Sequence, residues 1–244
     1  LFYKGDIIED IPYDKGPVYS QSKTTRKLTG PAAYGYFDKP DAYYINDETA
    51  LQSIGWKRVF VPHDYIIDQT PNEEENPAMG YFKYENSWYR KHFSLPEGLS
   101  NKRVTLQFEG IAGNATVYLN GCLVKRNFSR YNSFEVDISD TVFYHKPNVL
   151  AIYVEAKNFE GWWYQGGGIY RDVKLVITEP VAIDLYGVYA PAVKLDENNW
   201  AVNFETTVVN DSFENVNVKA ISNIIDMDGN IVATAEGEGE VELQ

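Results

Sequence analysis

The chain has 244 residues, room for one large β domain or for one domain and part of another. Its net charge of −13 argues against nucleic acids and anionic membrane surfaces as partners. The single cysteine, Cys122, excludes an intrachain disulfide, and no apolar run approaches the roughly 20 residues that cross a membrane.

Aromatic residues make up 15% of the chain, with 19 Tyr and 5 Trp. Tyr and Trp favour strands, so a β-sandwich core is the plainest reading of that excess. Residues 1–28 are polar and irregular, with one strand expected near 6–11. Residues 29–44 carry Gly30-Pro31, Gly35 and Pro40 and read as an ordered surface loop. A short helical turn is expected over 45–56. Residues 57–62 read as a strand, followed by the pair His63-Asp64. The acidic run Glu73, Glu74, Glu75 reads as a solvated face.

Strands then follow at short spacing. Residues 87–94 (SWYRKHFS) form one. Residues 103–109 form another, with Val104, Leu106 and Phe108 on one face and Thr105, Gln107 and Glu109 on the other. Asn120-Gly121 lies between two apolar runs and marks a hairpin, because a type I′ turn needs positive φ at both central positions. Further strands are expected over 134–138, 149–155 and 173–178. A domain boundary falls near Glu179-Pro180. Beyond it, 183–193, 200–209 and 216–225 read as strands, with Val202, Phe204, Thr206 and Val208 on one face. Asp228-Gly229 marks a hairpin turn; the segment lacks the glycine and closing glutamate of a calcium loop. Many short strands without helical periodicity describe an all-β sandwich or jelly roll.

One stretch stands apart: residues 158–173, NFEGWWYQGGGIYRDV. Three consecutive glycines, Gly166, Gly167 and Gly168, permit positive φ and close backbone approach. Beside them, Trp162 and Trp163 offer flat apolar faces that suit the C–H face of a sugar ring. Asn158, Glu160, Gln165 and Asp172 supply polar partners for hydroxyls. Tyr164 reads as a core residue. Arg171 and Asp172, adjacent on a strand, face opposite ways and need separate structural partners. His63, His92 and His145 are far apart in sequence, and no metal-ligand spacing, nucleophile elbow or phosphate loop occurs. Neither a metal nor a cofactor is expected. Cys122 follows a hairpin and reads as inert.

Trp163 to Arg171 (WYQGGGIYR) resembles the signature W-Y-x-G-[AS]-G-I-Y-R of glycoside hydrolase family 2, the β-galactosidase and β-glucuronidase family. Gly167 stands where Ala or Ser is usual. Three further motifs fall in the family's order: VPHDY resembles L-P-H-D-W, with Tyr65 for Trp, SWYRKHF resembles G-W-Y-R-K-x-F, and VYLNG resembles the family's hairpin. The ordered set is more specific than any one motif, and the doubled Trp is most like the β-galactosidase members.

The resemblance implies a galactose-binding-like jelly roll over residues 1–180 and a truncated immunoglobulin-like sandwich over 181–244. A complete sandwich of the latter kind needs about 100 residues, and only about 65 remain. In the family, both catalytic glutamates sit on a downstream TIM barrel, so the segment carries no catalytic residue and is expected to be inactive alone. The residues implied for substrate binding are Trp162, Trp163, Glu160, Tyr84, Glu85 and Asn86. Those implied for the structural motif are His63, Asp64, Tyr164, Gly168, Arg171 and Asp172. The implied partners are a β-galactoside or related carbohydrate and the barrel of the same polypeptide. An open sheet edge also leaves room for a homo-oligomer. The compartment is open between bacterial cytoplasm and periplasm, with no signal peptide or transmembrane segment in this stretch. The competing reading is a stand-alone carbohydrate-binding or adhesion sandwich, since the jelly roll also serves lectins.

Overall fold

The computed structural model describes residues 1–4, 56–120, 122–158 and 161–243. The strand expected near 6–11, the loop over 29–44, all but the last residue of the turn expected over 45–56, Gly121 and Glu160 lie outside the described residues. Within them the chain is all-β. Among the described residues there are fourteen strands, and a single 3-10 turn, Pro77–Met79, is the only helical element. It divides into two compact units, Leu1–Ser100 with Val104–Val176, and Asn101–Arg103 with Ile177–Gln244.

The first unit is built on a five-stranded sheet in the order β1-β2-β7-β4-β5. These strands are β1 (Phe2–Lys4), β2 (Ser87–Phe93), β4 (Asn114–Leu119), β5 (Cys122–Asn127) and β7 (Asn148–Glu155). A three-stranded sheet, β6-β3-β8, completes it, from β3 (Arg103–Phe108), β6 (Phe134–Asp137) and β8 (Val173–Thr178). Alternation along β7 explains its central place. Leu150, Ile152 and Val154 enter the main core with Val104, Leu106 and Phe108 of β3 and with Val117 and Leu119 of β4. Ala151 and Tyr153 point to the opposite face. There Trp88 is fully buried, its ring 4.9 Å from that of Tyr153 and 6.0 Å from that of Tyr118. A strand apolar on both faces has to sit mid-sheet, and β7 pairs with β2 on one side and β4 on the other.

The hairpin forms where Asn120-Gly121 places it. Leu119 pairs with Cys122, and Asn120 takes φ +50°. Asn120 also has a second task. It is buried, its amide donates to Asn148 Oδ1 and to the Thr141 carbonyl, each at 2.8 Å, and its Oδ1 accepts from the Val149 N–H. Thr105 differs from the expected outward face: it is buried, so β3 is covered on both sides there. The strand expected over 57–62 is not formed. Only Lys57 bridges, to Phe2, and Phe60 is 85% exposed. Pro62 has no N–H to continue a ladder, which removes one reason for a strand at that point.

The second unit contains β9 (Val181–Tyr189) paired with β12 (Glu205–Asn210), β10 (Ala192–Lys194) with β11 (Trp200–Val202), and β13 (Val216–Ile225) with β14 (Ile231–Val241). Two expected long strands are each broken. Residues 183–193 divide into β9 and β10, and 200–209 into β11 and β12. In β9, Tyr186 takes φ +57°, and the pairing with β12 shifts register nearby. The β13–β14 turn is closed by Asp226, whose Oδ1 accepts from the Asp228 and Asn230 N–H groups, with Gly229 at φ +87°.

Replacing Trp88 by Ala should empty the aromatic layer and cost about 3–5 kcal/mol. Denaturant unfolding measures this, and a loss below about 1 kcal/mol would contradict the packing described.

Candidate functional site

The His63–Ile66 segment and the loop ending in the triple glycine are laid against each other by backbone hydrogen bonds. The His63 N–H donates to the Ile169 carbonyl at 2.6 Å and the Tyr65 N–H to the Gly167 carbonyl at 3.1 Å. On its other side, Gly168 exchanges two backbone bonds with Ala112, at 2.8 and 3.1 Å. The glycines are therefore buried between two chain segments. A Cβ on Gly168, at φ +112°, would meet the Tyr89 hydroxyl and the His63 carbonyl. A Cβ on Gly167 would stand 2.6 Å from Ile66 Cγ1 and 3.0 Å from Tyr65 Cζ. Gly167 is thus matched to Ile66, which fills the space that a methyl would need.

Asp64 fixes this arrangement. Its Oδ1 accepts from the N–H groups of Ile66 and Gly167, both at 3.0 Å, and its Oδ2 accepts from the Tyr164 hydroxyl at 2.7 Å. Burial and the neighbouring Asp64 carboxylate hold the Tyr164 phenol above its ordinary pKa. Tyr164 is a correction to the core reading. It is 37% exposed, with its ring edge-on to Phe82 and Tyr84, and it acts as a strut between Asp64 and the loop.

His63 Nδ1 lies 2.7 Å from the Tyr89 hydroxyl, and its Nε2 lies 3.6 Å from Asp68. Burial pulls the imidazole below its ordinary value of 6.5, against the opposing pull of Asp68 and Asp64.

Above this base stand the exposed aromatics. Trp162 is 89% exposed and Trp163 is 58% exposed. Tyr84 is buried, and its hydroxyl accepts from the Gln165 N–H at 3.1 Å, so it supports the loop from below. Gln165 is buried beside it. Glu85 pairs with Lys4 at 2.8 Å and Lys83 at 3.2 Å, which together hold its carboxyl below the usual range against the effect of burial, the largest single influence. The Asn86 side chain donates to the Tyr153 hydroxyl and accepts from the Lys157 N–H. Arg171 lies in a bend and Asp172 is the irregular residue just ahead of β8, so neither is on a strand. Both are exposed, and the Arg171 guanidinium sits 5.3 Å from the Tyr170 ring centre.

A second loop, after β5, was not among the sequence candidates. Tyr131 accepts a hydrogen bond from Trp163 Nε1 at 3.1 Å, Arg130 Nη2 donates to the Asn158 carbonyl at 2.6 Å, and Tyr170 donates to the Arg130 carbonyl at 3.0 Å. The run Phe128-Ser-Arg-Tyr131 carries two aromatics just past a hairpin strand, which was its sequence signal. Burial lifts the Cys122 thiol to about 11, which keeps it protonated at neutral pH. No cluster of three metal-ligating side chains occurs among the described residues, and no helix among them is long and apolar enough to cross a membrane.

This fold and loop define a galactose-binding-like β-sandwich carrying an aromatic platform. Residues 60–164 match the glycosyl hydrolase 2 galactose-binding domain-like family, and this segment of the chain is identified as that domain. A β-galactosidase of Bacteroides ovatus is 33% identical over 227 residues, which cover 90% of this chain and 27% of that protein. A β-glucuronidase of Formosa agariphila is 31% identical over 207 residues, covering 73% of this chain and 21% of that protein. Among solved structures, a family 2 member from Bacteroides cellulosilyticus covers 99% of this chain with a TM-score of 0.72 at 24% identity, a likeness of fold. A family 2 β-glucuronidase covers 84% with a TM-score of 0.70 at 26% identity. The chain spans about a quarter of the length of these relatives.

Gly168→Ala should destabilise more than Gly167→Ala. It adds about 1–3 kcal/mol of backbone strain and presses on a carbonyl that cannot rotate away. Chemical denaturation of the two variants ranks them; equal losses would contradict the geometry.

For His63, the folded state disfavours the proton that the unfolded state accepts. Stability should therefore fall as pH drops from the unfolded value of 6.5 through the lower folded value. His63→Gln should flatten that part of a stability-versus-pH curve, and an unchanged curve would exclude His63 as its source.

Proposed function

We propose that the chain is the N-terminal part of a β-galactosidase-like glycoside hydrolase. Residues 1–180 form its jelly-roll sugar-binding domain, and residues 181–244 begin an immunoglobulin-like sandwich. The observation that carries the reading is the pair Trp162 and Trp163. Both are exposed on a loop whose buried half is fixed by Asp64 and three glycines. Large aromatics held out to solvent on a rigid base are costly unless a ligand or another domain covers them. The four ordered motifs and the β-galactosidase and β-glucuronidase relatives direct that reading to β-glycosides.

In this account the segment supplies one wall of the sugar site. The two glutamates that perform retaining hydrolysis, one as acid/base and one as nucleophile, belong to a barrel further along the same polypeptide. Tyr84, Asp64 and Tyr164 hold the loop, Trp162 and Trp163 offer faces to the pyranose, and Asn86 and, by its place in the sequence, Glu160 are the polar candidates. The stand-alone carbohydrate-binding reading remains the competitor, because the platform is already open to solvent in this segment.

The longer natural polypeptide that contains this chain should cleave a nitrophenyl β-galactoside, while residues 1–244 alone cleave none. Replacing both Trp162 and Trp163 by Ala in the longer protein should raise KM about tenfold, a loss of about 1.4 kcal/mol. Stability should change by no more than about 1.5 kcal/mol, since both side chains are exposed and one hydrogen bond, from Trp163 to Tyr131, is lost. A longer protein inert on every β-glycoside, with residues 1–244 still binding sugar, would transfer the assignment to a binding module.

A further inference from the structure

Trp162 and Trp163 look equivalent in the sequence, yet their surroundings differ. Trp163 is restrained on two sides. Its Nε1–H donates to the Tyr131 hydroxyl. Its ring lies against the backbone of Gly161, where an added Cβ would meet Cη2 and Cζ3 at 2.6 Å. Gly161 has φ +85°, so glycine is favoured there on conformational grounds as well. Trp162, at 89% exposure, extends into solvent.

The loop that carries Tyr131 is itself tied down. The Ser129 hydroxyl lies within hydrogen-bond range of the Tyr131 and Asn132 N–H groups. Arg130 joins it to Asn158 and to Tyr170, so the two loops are linked on either side of the Trp163–Tyr131 contact.

We infer that Trp163 is the stacking face of the platform and that Tyr131 is its positioning residue, a role that rests on the sugar-binding reading above. The Tyr131 hydroxyl occupies the one polar atom of the indole. A ligand approaching Trp163 therefore meets an apolar ring surface at a fixed angle. That surface suits the C–H face of a β-linked pyranoside and offers no free donor to a ligand that presents a hydrogen-bond acceptor there. Trp162 lies at the margin of the platform and closes over the ligand only at the cost of its own side-chain freedom.

The test uses the longer natural polypeptide and the nitrophenyl β-glycoside that it cleaves best. Trp163→Ala is expected to raise KM at least tenfold with kcat within twofold. Trp162→Ala is expected to change KM by less than twofold. Tyr131→Phe, which removes only the hydroxyl, is expected to raise KM three- to tenfold and to add nothing in the Trp163→Ala background. In 15N-tryptophan-labelled protein, the Trp163 indole N–H signal, identified from Trp163→Phe, should move in Tyr131→Phe.

A KM unchanged in Tyr131→Phe, or equally raised with and without Trp163, overturns the positioning role. So does an indole signal that stays in place, whether or not any glycoside is cleaved. If Trp162→Ala carries the loss and Trp163→Ala does not, this inference fails while the platform reading stands. If neither tryptophan affects KM, both fall.

Discussion

Three hydrogen-bond donors converge on the Asp64 carboxylate: two backbone N–H groups and the Tyr164 hydroxyl. Hydrogen bonds to a charged acceptor contribute about 1.5–3 kcal/mol each, roughly twice the neutral kind. Two of the three, from Tyr164 and Gly167, join pieces of chain about a hundred residues apart, and they do so at the point where the glycine loop turns. Burying that turn requires a backbone with no side chains, because Tyr65, Ile66 and Tyr89 already fill the space. The carboxylate and the glycines are therefore parts of one device. The first satisfies the donors that a buried loop would otherwise leave without partners, and the second lets the loop be buried at all. The aromatics at 162 and 163 project outward because the residues after them are fixed inward.

Much of this was legible in the sequence, for identifiable reasons. The strand pattern follows from alternation, and β13 and β8 fall where the apolar spacing puts them. Asn120 could be read as a turn because its conformational demand is local. The role of Asp64 could be read only by resemblance, since nothing in VPHDY says that its partners lie near position 165. Tyr131 was missed for the same reason. Its contact with Trp163 spans 32 residues and rests on the course of two loops, which no periodicity encodes. Tyr164 was misread because an aromatic beside buried glycines looks like core, whereas its hydroxyl requires an edge position near a carboxylate. The break in 183–193 falls at Ala190-Pro191, where the proline was a signal passed over, and that in 200–209 falls at Asn203-Phe204, where the alternation of Val202, Phe204, Thr206 and Val208 runs straight through it.

The two units differ in how far their burial is complete. The first has a continuous core of aromatic and aliphatic side chains from both sheets. In the second, Val209 is the only hydrophobic residue of the core among the described residues, and Ile183, Tyr189, Ile221 and Ile231 are each more than half exposed. Val202, Phe204, Val208 and Val218 line an open groove of about 470 Å³. Two-stranded ribbons are marginal in water without a covering layer. The pairs β9–β12 and β13–β14 have apolar faces suited to such a layer, so their stability should depend on what covers them more than the first unit's does.

The contrast between the tryptophans follows from the same accounting of freedom. Immobilising a side chain on binding costs about 0.5–1.5 kcal/mol, and a ring already held by a hydrogen bond and a backbone contact has met that cost in folding. Trp163 is in that position through Tyr131 and Gly161; Trp162 is not. Exposure alone would rank Trp162 first, since more of its surface is available. Restraint reverses the order, because affinity depends on the free energy left after ordering rather than on the area offered. The cost is lower still when the restraining loop is itself held, and Ser129 within the 128–132 loop and Arg130 through Asn158 and Tyr170 hold it. An aromatic face held in this way discriminates by its angle and its polarity.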